Sequence, residues 1–166
     1  MLEWITSKVV VSIAALLVLT SVSGFFLTQR EGWKENEVKQ VSKELSKLVN
    51  QASMINAETT IIINFGGSSS GINLPSTIDG EAYTVQLDRT SAKCTMKDHE
   101  GRSYFFTAVH LFQPSEVNLT NKTQLRMFDL DHQDLKVHSS GNLFLLRART
   151  VYEGKVNFET FIFAGV

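Results

Sequence analysis

Cysteine, proline and an excess of either charge are all scarce in this sequence of 166 residues. A single cysteine, Cys94, cannot form an internal disulfide, so core packing must hold the chain together. Two prolines exclude a long proline-rich linker. A net charge of −1 argues against nucleic-acid binding, which usually requires a basic excess. Because 43% of the residues are hydrophobic, the sequence can still form a core of ordinary size.

Motifs for catalysis, metal binding and nucleotide binding are missing as well. The glycine-serine stretch at residues 66–71 lacks the lysine of a phosphate-binding loop. The densest group of potential metal ligands is Asp129, Asp131, His132 and Asp134. It lacks the glycine and the distal glutamate of an EF-hand, so we interpret it as a solvated acidic loop. The sequence therefore predicts a protein that is not an enzyme, without cofactor, metal or small-molecule substrate.

A long uncharged run near the N-terminus is the strongest signal in the sequence. Residues 9–27 read VVVSIAALLVLTSVSGFFL, without charge or proline. A helix rises about 1.5 Å per residue, so the run matches the hydrocarbon core of a bilayer, about 30 Å thick. Trp4 and Trp33 flank it at a spacing that suits the two headgroup regions. We predict a membrane-spanning and assembly helix formed by Val9, Val10, Val11, Ile13, Leu16, Leu17, Leu19, Val22, Phe25 and Phe26.

A cleaved secretory signal is the alternative interpretation of this run. The apolar segment of such a signal usually has about 7–15 residues and follows a basic region. Here the run is longer, and Glu3 accompanies Lys8 before it. Bulky Phe25 and Phe26 directly follow the candidate cleavage site at residues 21–23. These features favour a retained span in contact with membrane lipid.

Glycosylation signals orient the predicted span better than its flanking charges do. Lys8 favours a cytoplasmic start, but Arg30 and Lys34 are balanced by neighbouring glutamates. Asn118 and Asn121 each begin an N-glycosylation acceptor pattern within one polar stretch. We therefore predict a single-pass protein of the cell membrane with its C-terminal domain outside.

After the apolar run the helical period continues, but the pattern becomes amphipathic. One apolar stripe comprises Val38, Val41, Leu45, Leu48, Ala52 and Ile55. No proline interrupts the chain, so we predict one helix over about residues 4–56. The stripe covers fewer than three heptads, which is short for a coiled coil. We expect it to pack on a sheet formed by the same chain.

Beyond residue 57 the hydrophobic period changes from 3.6 toward 2. Strands are predicted at residues 59–65, 104–112 and 143–152, the second of them buried on both faces. Asp98 to Gly101 is predicted as an exposed hairpin tip that carries His99, and residues 143–163 as a hairpin about Glu153 and Gly154. The predicted fold is α+β, with the helix packed on an antiparallel β-sandwich or curled sheet of about seven strands. Its predicted parts are residues 1–30, 31–57 and 58–166.

Residues 72–83 read INLPSTIDGEAY, with a leucine-proline pair, then isoleucine, glycine and a tyrosine that opens a strand. This segment and the order helix, amphipathic helix, β-domain resemble archaeal type IV pilin-like exported proteins. The resemblance implies export, no catalysis, and assembly with other copies or related pilin-like subunits through the N-terminal helix. The physics agrees, because a helix apolar on every side is stable only among lipid tails or copies of itself.

The N-terminus departs from the family pattern. Prepilins usually carry a short basic leader, followed by a glutamate a few residues into the mature helix. No basic leader precedes Glu3 here, and the alternative is a relic of a leader at Ser7 and Lys8. We therefore expect a minor or pilin-like component of a surface filament or of a related secretion-type assembly. The second hypothesis is a membrane-anchored extracellular β-domain that binds a ligand as a monomer.

Overall fold

One helix followed by nine strands makes up the part of the chain that the computed structural model describes: residues 2–67, 71–112, 134–152 and 154–165, with backbone alone at residues 2–10, 152 and 165. Helix α1 spans Leu2–Met54. The strands are β1 (Thr59–Phe65), β2 (Ile72–Leu74), β3 (Thr84–Asp88), β4 (Ser91–Met96), β5 (His99–Tyr104), β6 (His110–Phe112), β7 (Asp134–His138), β8 (Asn142–Tyr152) and β9 (Lys155–Gly165).

The nine strands form two open sheets. The first has the order β2-β1-β8-β9-β6, and the second has the order β5-β4-β3-β7. All pairs are antiparallel except β1–β2 and β6–β9. The predicted α+β fold, a long helix packed on mostly antiparallel sheets, is therefore confirmed. The strands β2 and β6, with three residues each, are too short to give a periodic signal in the sequence.

The chain divides into two compact units at a point inside helix α1. The first unit is Met1–Lys34, and the second is Glu35–Val166. The first contains the predicted membrane span. The second contains the amphipathic turns of the helix and both sheets.

In the second unit the amphipathic stripe of the helix closes the core between the sheets. Its buried members are Val38, Val41, Leu45, Val49 and Ala52, each at most 4% exposed. They form one cluster with side chains of both sheets, such as those of Ile63, Val85 and Ile162. The expected packing of the stripe on the chain's own sheet is thereby confirmed.

Two members of the predicted stripe were placed wrongly. Leu48 is only half-buried, and Val49 takes the core position beside it. Ile55 lies beyond the last helical residue, Met54, and is 37% exposed. The core of two sheets selects a slightly different face of the helix from the one that spacing alone favours.

Gly101 on β5 allows the helix to lie directly on the second sheet. A Cβ atom at this position would be 2.6 Å from Lys39 Cα and 2.8 Å from the Val38 carbonyl oxygen. Both are backbone atoms, which a side-chain rotation cannot move away. The absence of a side chain therefore sets the distance between helix and sheet.

The two predicted hairpins differ in outcome. The β8–β9 hairpin is confirmed, with register pairs from Asn142–Gly165 to Tyr152–Lys155 and a positive φ of 77° at Gly154. The β4–β5 turn lies two residues earlier than predicted, because Met96 pairs with His99 and Lys97 has a φ of 48°. His99 is therefore a half-buried strand residue, and the prediction of an exposed tip was wrong.

The predicted single strand over residues 104–112 was also wrong. Strand β5 ends at Tyr104, and β6 in the other sheet begins at His110. Between them the backbone crosses from one sheet to the other, with Phe105 N–H donating to Thr90 O and Val109 N–H donating to Arg89 O. The sequence does not signal this crossing, since the apolar run continues almost without a break from the last residue of β5, through the link, into β6.

Candidate functional site

The predicted span presents apolar side chains on every side of the first helical unit. Val11, Leu16 and Leu17 are each 64% exposed, and Val22, the most covered of the set, is 46% exposed. The remaining predicted members with described side chains, Ile13, Leu19, Phe25 and Phe26, are 53–63% exposed. Val9 and Val10 lie in the helix, and their side chains are outside the description. Within the described residues, this is the one helix long and apolar enough to be a candidate membrane span.

Three hydroxyl groups in this apolar segment or next to it donate hydrogen bonds to the backbone of the helix itself. Ser21 Oγ donates to Leu17 O at 2.8 Å, and Thr28 Oγ1 donates to Gly24 O at 3.0 Å. Thr20 Oγ1 donates to Leu16 O in the same way. A polar group without a partner is costly in hydrocarbon, and these bonds to the preceding turn remove that cost. The polar residues of the segment are thus compatible with an apolar environment.

The segment that carries the family resemblance is a structural loop of the second unit. Tyr83 is 2% exposed, packs edge-on against Phe65 at 6.1 Å between ring centroids, and donates its hydroxyl to Pro75 O. Burial raises the pKa of the Tyr83 hydroxyl above its usual value. The turn at Asp79 and Gly80 has positive φ at both residues, as a tight two-residue turn requires. The segment's residue pattern therefore reflects folding.

The potential metal ligands and the cysteine of the second unit can be located among its described residues. Groups of three His, Cys, Asp or Glu side chains suited to a metal ion are absent from the searched, described residues. Cys94 is fully buried, and burial raises its thiol pKa to about 12, so its side chain fills part of the core. Ser139 Oγ accepts from Tyr83 N–H at 3.2 Å, which gives that hydroxyl a structural role.

Several predicted positions fall outside the described residues. They are the glycosylation acceptors Asn118 and Asn121 and the acidic-loop members Asp129, Asp131 and His132. Asp134, the last member of that group, begins β7 and accepts a hydrogen bond from Gln86 Nε2 at 2.6 Å.

An exposed aromatic pair beside the helix was not found from the sequence. Tyr104 is 66% exposed and Phe106 is 75% exposed, although both belong to an apolar run. Two buried polar residues of the helix hold this segment: Ser46 Oγ donates to Tyr104 O at 2.6 Å, and Asn50 Oδ1 accepts from Phe106 N–H at 2.7 Å. Asn50 Nδ2 in turn donates to Ser46 Oγ at 3.4 Å. The only sequence signal for these two anchors was that Ser46 and Asn50 lie four residues apart on the predicted helix.

Comparison with known proteins leaves the assignment to the molecule itself: no family model, no curated protein and no solved structure matches this chain.

Proposed function

We propose that the chain is a pilin-like structural subunit, a minor component of an archaeal type IV filament or of a related secretion-type assembly. It would be held in the membrane by its N-terminal helix before assembly, with the β-domain outside. The proposal also names its partners, which are membrane lipid first and other copies or related subunits afterwards. No enzymatic step is part of it.

The observation that carries the proposal is the uniform exposure of the apolar segment in the first unit. Side chains from Val11 to Leu27 are about half to two-thirds exposed in every helical direction. Water is an unfavourable environment for such a surface, at roughly 25 cal/mol per Å² of apolar area. Either lipid tails or sister helices can cover it, and both satisfy the internal hydrogen bonding of the segment.

The continuation of the same helix into the core of the β-domain supports a subunit more than a simple anchor. Helix α1 has no break in its backbone between Leu2 and Met54. Its C-terminal turns are a core element of the second unit through Val38, Leu45 and Val49. A monomeric binding domain needs only a flexible tether, commonly rich in glycine or serine. An uninterrupted helix instead joins the apolar segment directly to a core element of the β-domain.

Cysteine cross-linking within the membrane and on the cell surface tests the proposal. Native Cys94 is fully buried, so a cysteine introduced by Leu17→Cys would be the reactive thiol among the described residues. If apolar segments bundle, oxidation of the full-length chain should give dimers whose yield does not fall as expression is lowered. The same material, sheared from cells and labelled with an antibody to the β-domain, should show filaments by negative-stain microscopy.

A matched pair of variants separates assembly from membrane insertion. Phe26→Ala removes a ring that is 63% exposed, whereas Phe26→Leu retains a bulky apolar side chain. Both variants should still insert, but Phe26→Ala should lower filament yield. Leu17→Arg would block insertion under either hypothesis and is therefore no test. Cross-links that dilute away, with unlabelled filaments and all protein in the membrane fraction, would support the monomeric binding domain instead.

A further inference from the structure

Two grooves of opposite charge flank the amphipathic turns of helix α1, both within the second unit. The first, here called the basic groove, has a volume of about 300 Å³ and lies between the helix and the end of β5. Its lining includes Lys43, Lys47, Met54, Tyr104 and Phe106, all exposed. Two cations and three large apolar side chains therefore share one surface. Exposed apolar patches with a polar rim mark interaction sites more often than unused surface.

The second groove, here called the acidic groove, has a volume of about 440 Å³ and lies on the other flank of the helix. It is lined by Glu37, Gln40, Val41, Glu44, Pro75, Thr77, Ile78 and Asp79. The described residues that line this groove include no lysine or arginine. Three carboxylates and the apolar Pro75 therefore make a surface complementary to the basic groove in both charge and hydrophobicity.

The aromatic pair of the basic groove is fixed in its exposed position. Ser46 and Asn50, 3% and 8% exposed, bond to the backbone on either side of Phe105, which points into the core at 8% exposed. The backbone between two sheets is thereby pinned, and the rings of Tyr104 and Phe106 remain outside. Little conformational freedom would be lost when these rings are covered, which favours binding through them. Aromatic rings of this size can each bury about 150–250 Å².

We propose that the basic groove of one copy docks into the acidic groove of the next copy, with Tyr104 and Phe106 lying against the surface around Pro75. This inference rests on the proposed function, because it names the β-domain contact of the same assembly. The two surfaces differ, so the contact is heterologous, and such contacts continue into open-ended helical filaments unless the rotation closes a ring.

The charges of the two grooves favour a contact between unlike grooves of two copies. Two basic grooves brought face to face would set Lys43 and Lys47 against the same residues of the partner copy, and two acidic grooves would likewise repel. The unlike pairing instead places Lys43 and Lys47 opposite Glu37 and Glu44. The chain thus carries both halves of one complementary interface.

Directional cross-linking tests the contact in the full-length, assembled protein. Thr77→Cys places a thiol in the acidic groove, and Phe106→Cys places one in the basic groove. The double variant should form a ladder beyond dimers under mild oxidation, and a mixture of the two single variants should form dimers only. Each single variant alone should form no cross-linked dimer, because like grooves do not meet. Thr77→Cys combined with Asn157→Cys, an exposed position outside both grooves, is the matched control.

Charge reversal adds a second readout. Lys43→Glu with Lys47→Glu should reduce the Thr77–Phe106 cross-link at least tenfold, and Glu37→Lys with Glu44→Lys in the neighbouring copy should restore it. Strong self-cross-linking of Phe106→Cys, or a double variant no better than the Asn157 control, would overturn the inference. Leu17→Cys distinguishes failure of the groove contact from failure of the proposed function. If the Leu17→Cys cross-link forms while the groove cross-link is absent, only the groove contact is contradicted. If both cross-links are absent, the proposed function is contradicted as well.

Discussion

Helix α1 contains two stretches that are both apolar and both helical, yet they meet opposite surroundings. Around Leu17 the side chains are exposed in every direction, whereas Leu45 is fully buried among strands of both sheets. The Leu17 side chain is 64% exposed, and the Leu45 side chain is part of a closed core. The comparison shows that an apolar stretch can form a helix without being buried in the fold. The apolar side chains of the first stretch are left exposed, and those of the second are covered by strands of the same chain.

A matched pair of leucine truncations should give the largest difference between the two stretches. Leu45→Ala should lower the free energy of unfolding of the β-domain by about 2–5 kcal/mol, since it leaves a cavity in a closed core. Leu17→Ala should leave that free energy unchanged. Chemical denaturation of the full chain in detergent, followed by circular dichroism, measures both. Equal losses for the two variants would mean that the halves of the helix do not differ as described.

Two glycines offer a second contrast of the same kind. Gly101→Ala should destabilise the domain by about 1–3 kcal/mol, because the new Cβ meets helix backbone at 2.6 Å and the helix must shift. Gly24→Ala has no neighbouring atom within 4 Å and should not destabilise the domain. Melting temperatures of both variants check this, and a neutral Gly101→Ala would show that helix and β5 are less closely packed.

Substitution of a polar side chain in each of the two stretches should change stability by amounts that differ less. Asn50→Ala leaves the Phe106 N–H without its acceptor, at a cost of about 1–3 kcal/mol. Thr28→Val removes only a bond to the preceding turn and should stay within about 0.5 kcal/mol. Amide hydrogen exchange gives a local readout, since the Phe106 amide should exchange faster in Asn50→Ala. Unchanged exchange there would argue against Asn50 as an anchor.

The smallest expected effect is that the Cys94 thiol does not react in the folded chain. Its folded pKa of about 12 lies above the unfolded value of about 8.5, so burial of the neutral thiol adds stability that is complete below pH 8.5. That contribution falls progressively as the pH rises from about 8.5 to about 12, because only the unfolded chain ionises the thiol in this range. Alkylation at pH 8 should therefore proceed only in denaturant, whereas the Leu17→Cys thiol should react without it. Rapid labelling of Cys94 in the folded chain would place it outside the core.

The fold class and several elements could be predicted from the sequence because their signals depend on residues close together in the chain. Strand β1 at residues 59–65 and the β8–β9 hairpin follow from β-branched runs and a glycine turn, which depend only on neighbouring residues. Three features escaped it: the crossing after Tyr104, the short edge strands β2 and β6, and the exposed aromatic pair. Each depends on residues far away in the chain, such as Thr90 for the crossing and Ser46 for the pair.

By itself, the sequence determined that a long helix with an uncharged run near its start exists and that its later turns have one apolar face. These properties follow from side-chain chemistry repeated at the helical period. Only the tertiary structure decided which residues of that face are buried, with Val49 replacing Leu48, and which apolar residues remain outside. The physical reason is that burial is a property of the whole core: a glycine at position 101 admits the helix, and two polar anchors keep Tyr104 and Phe106 at the surface.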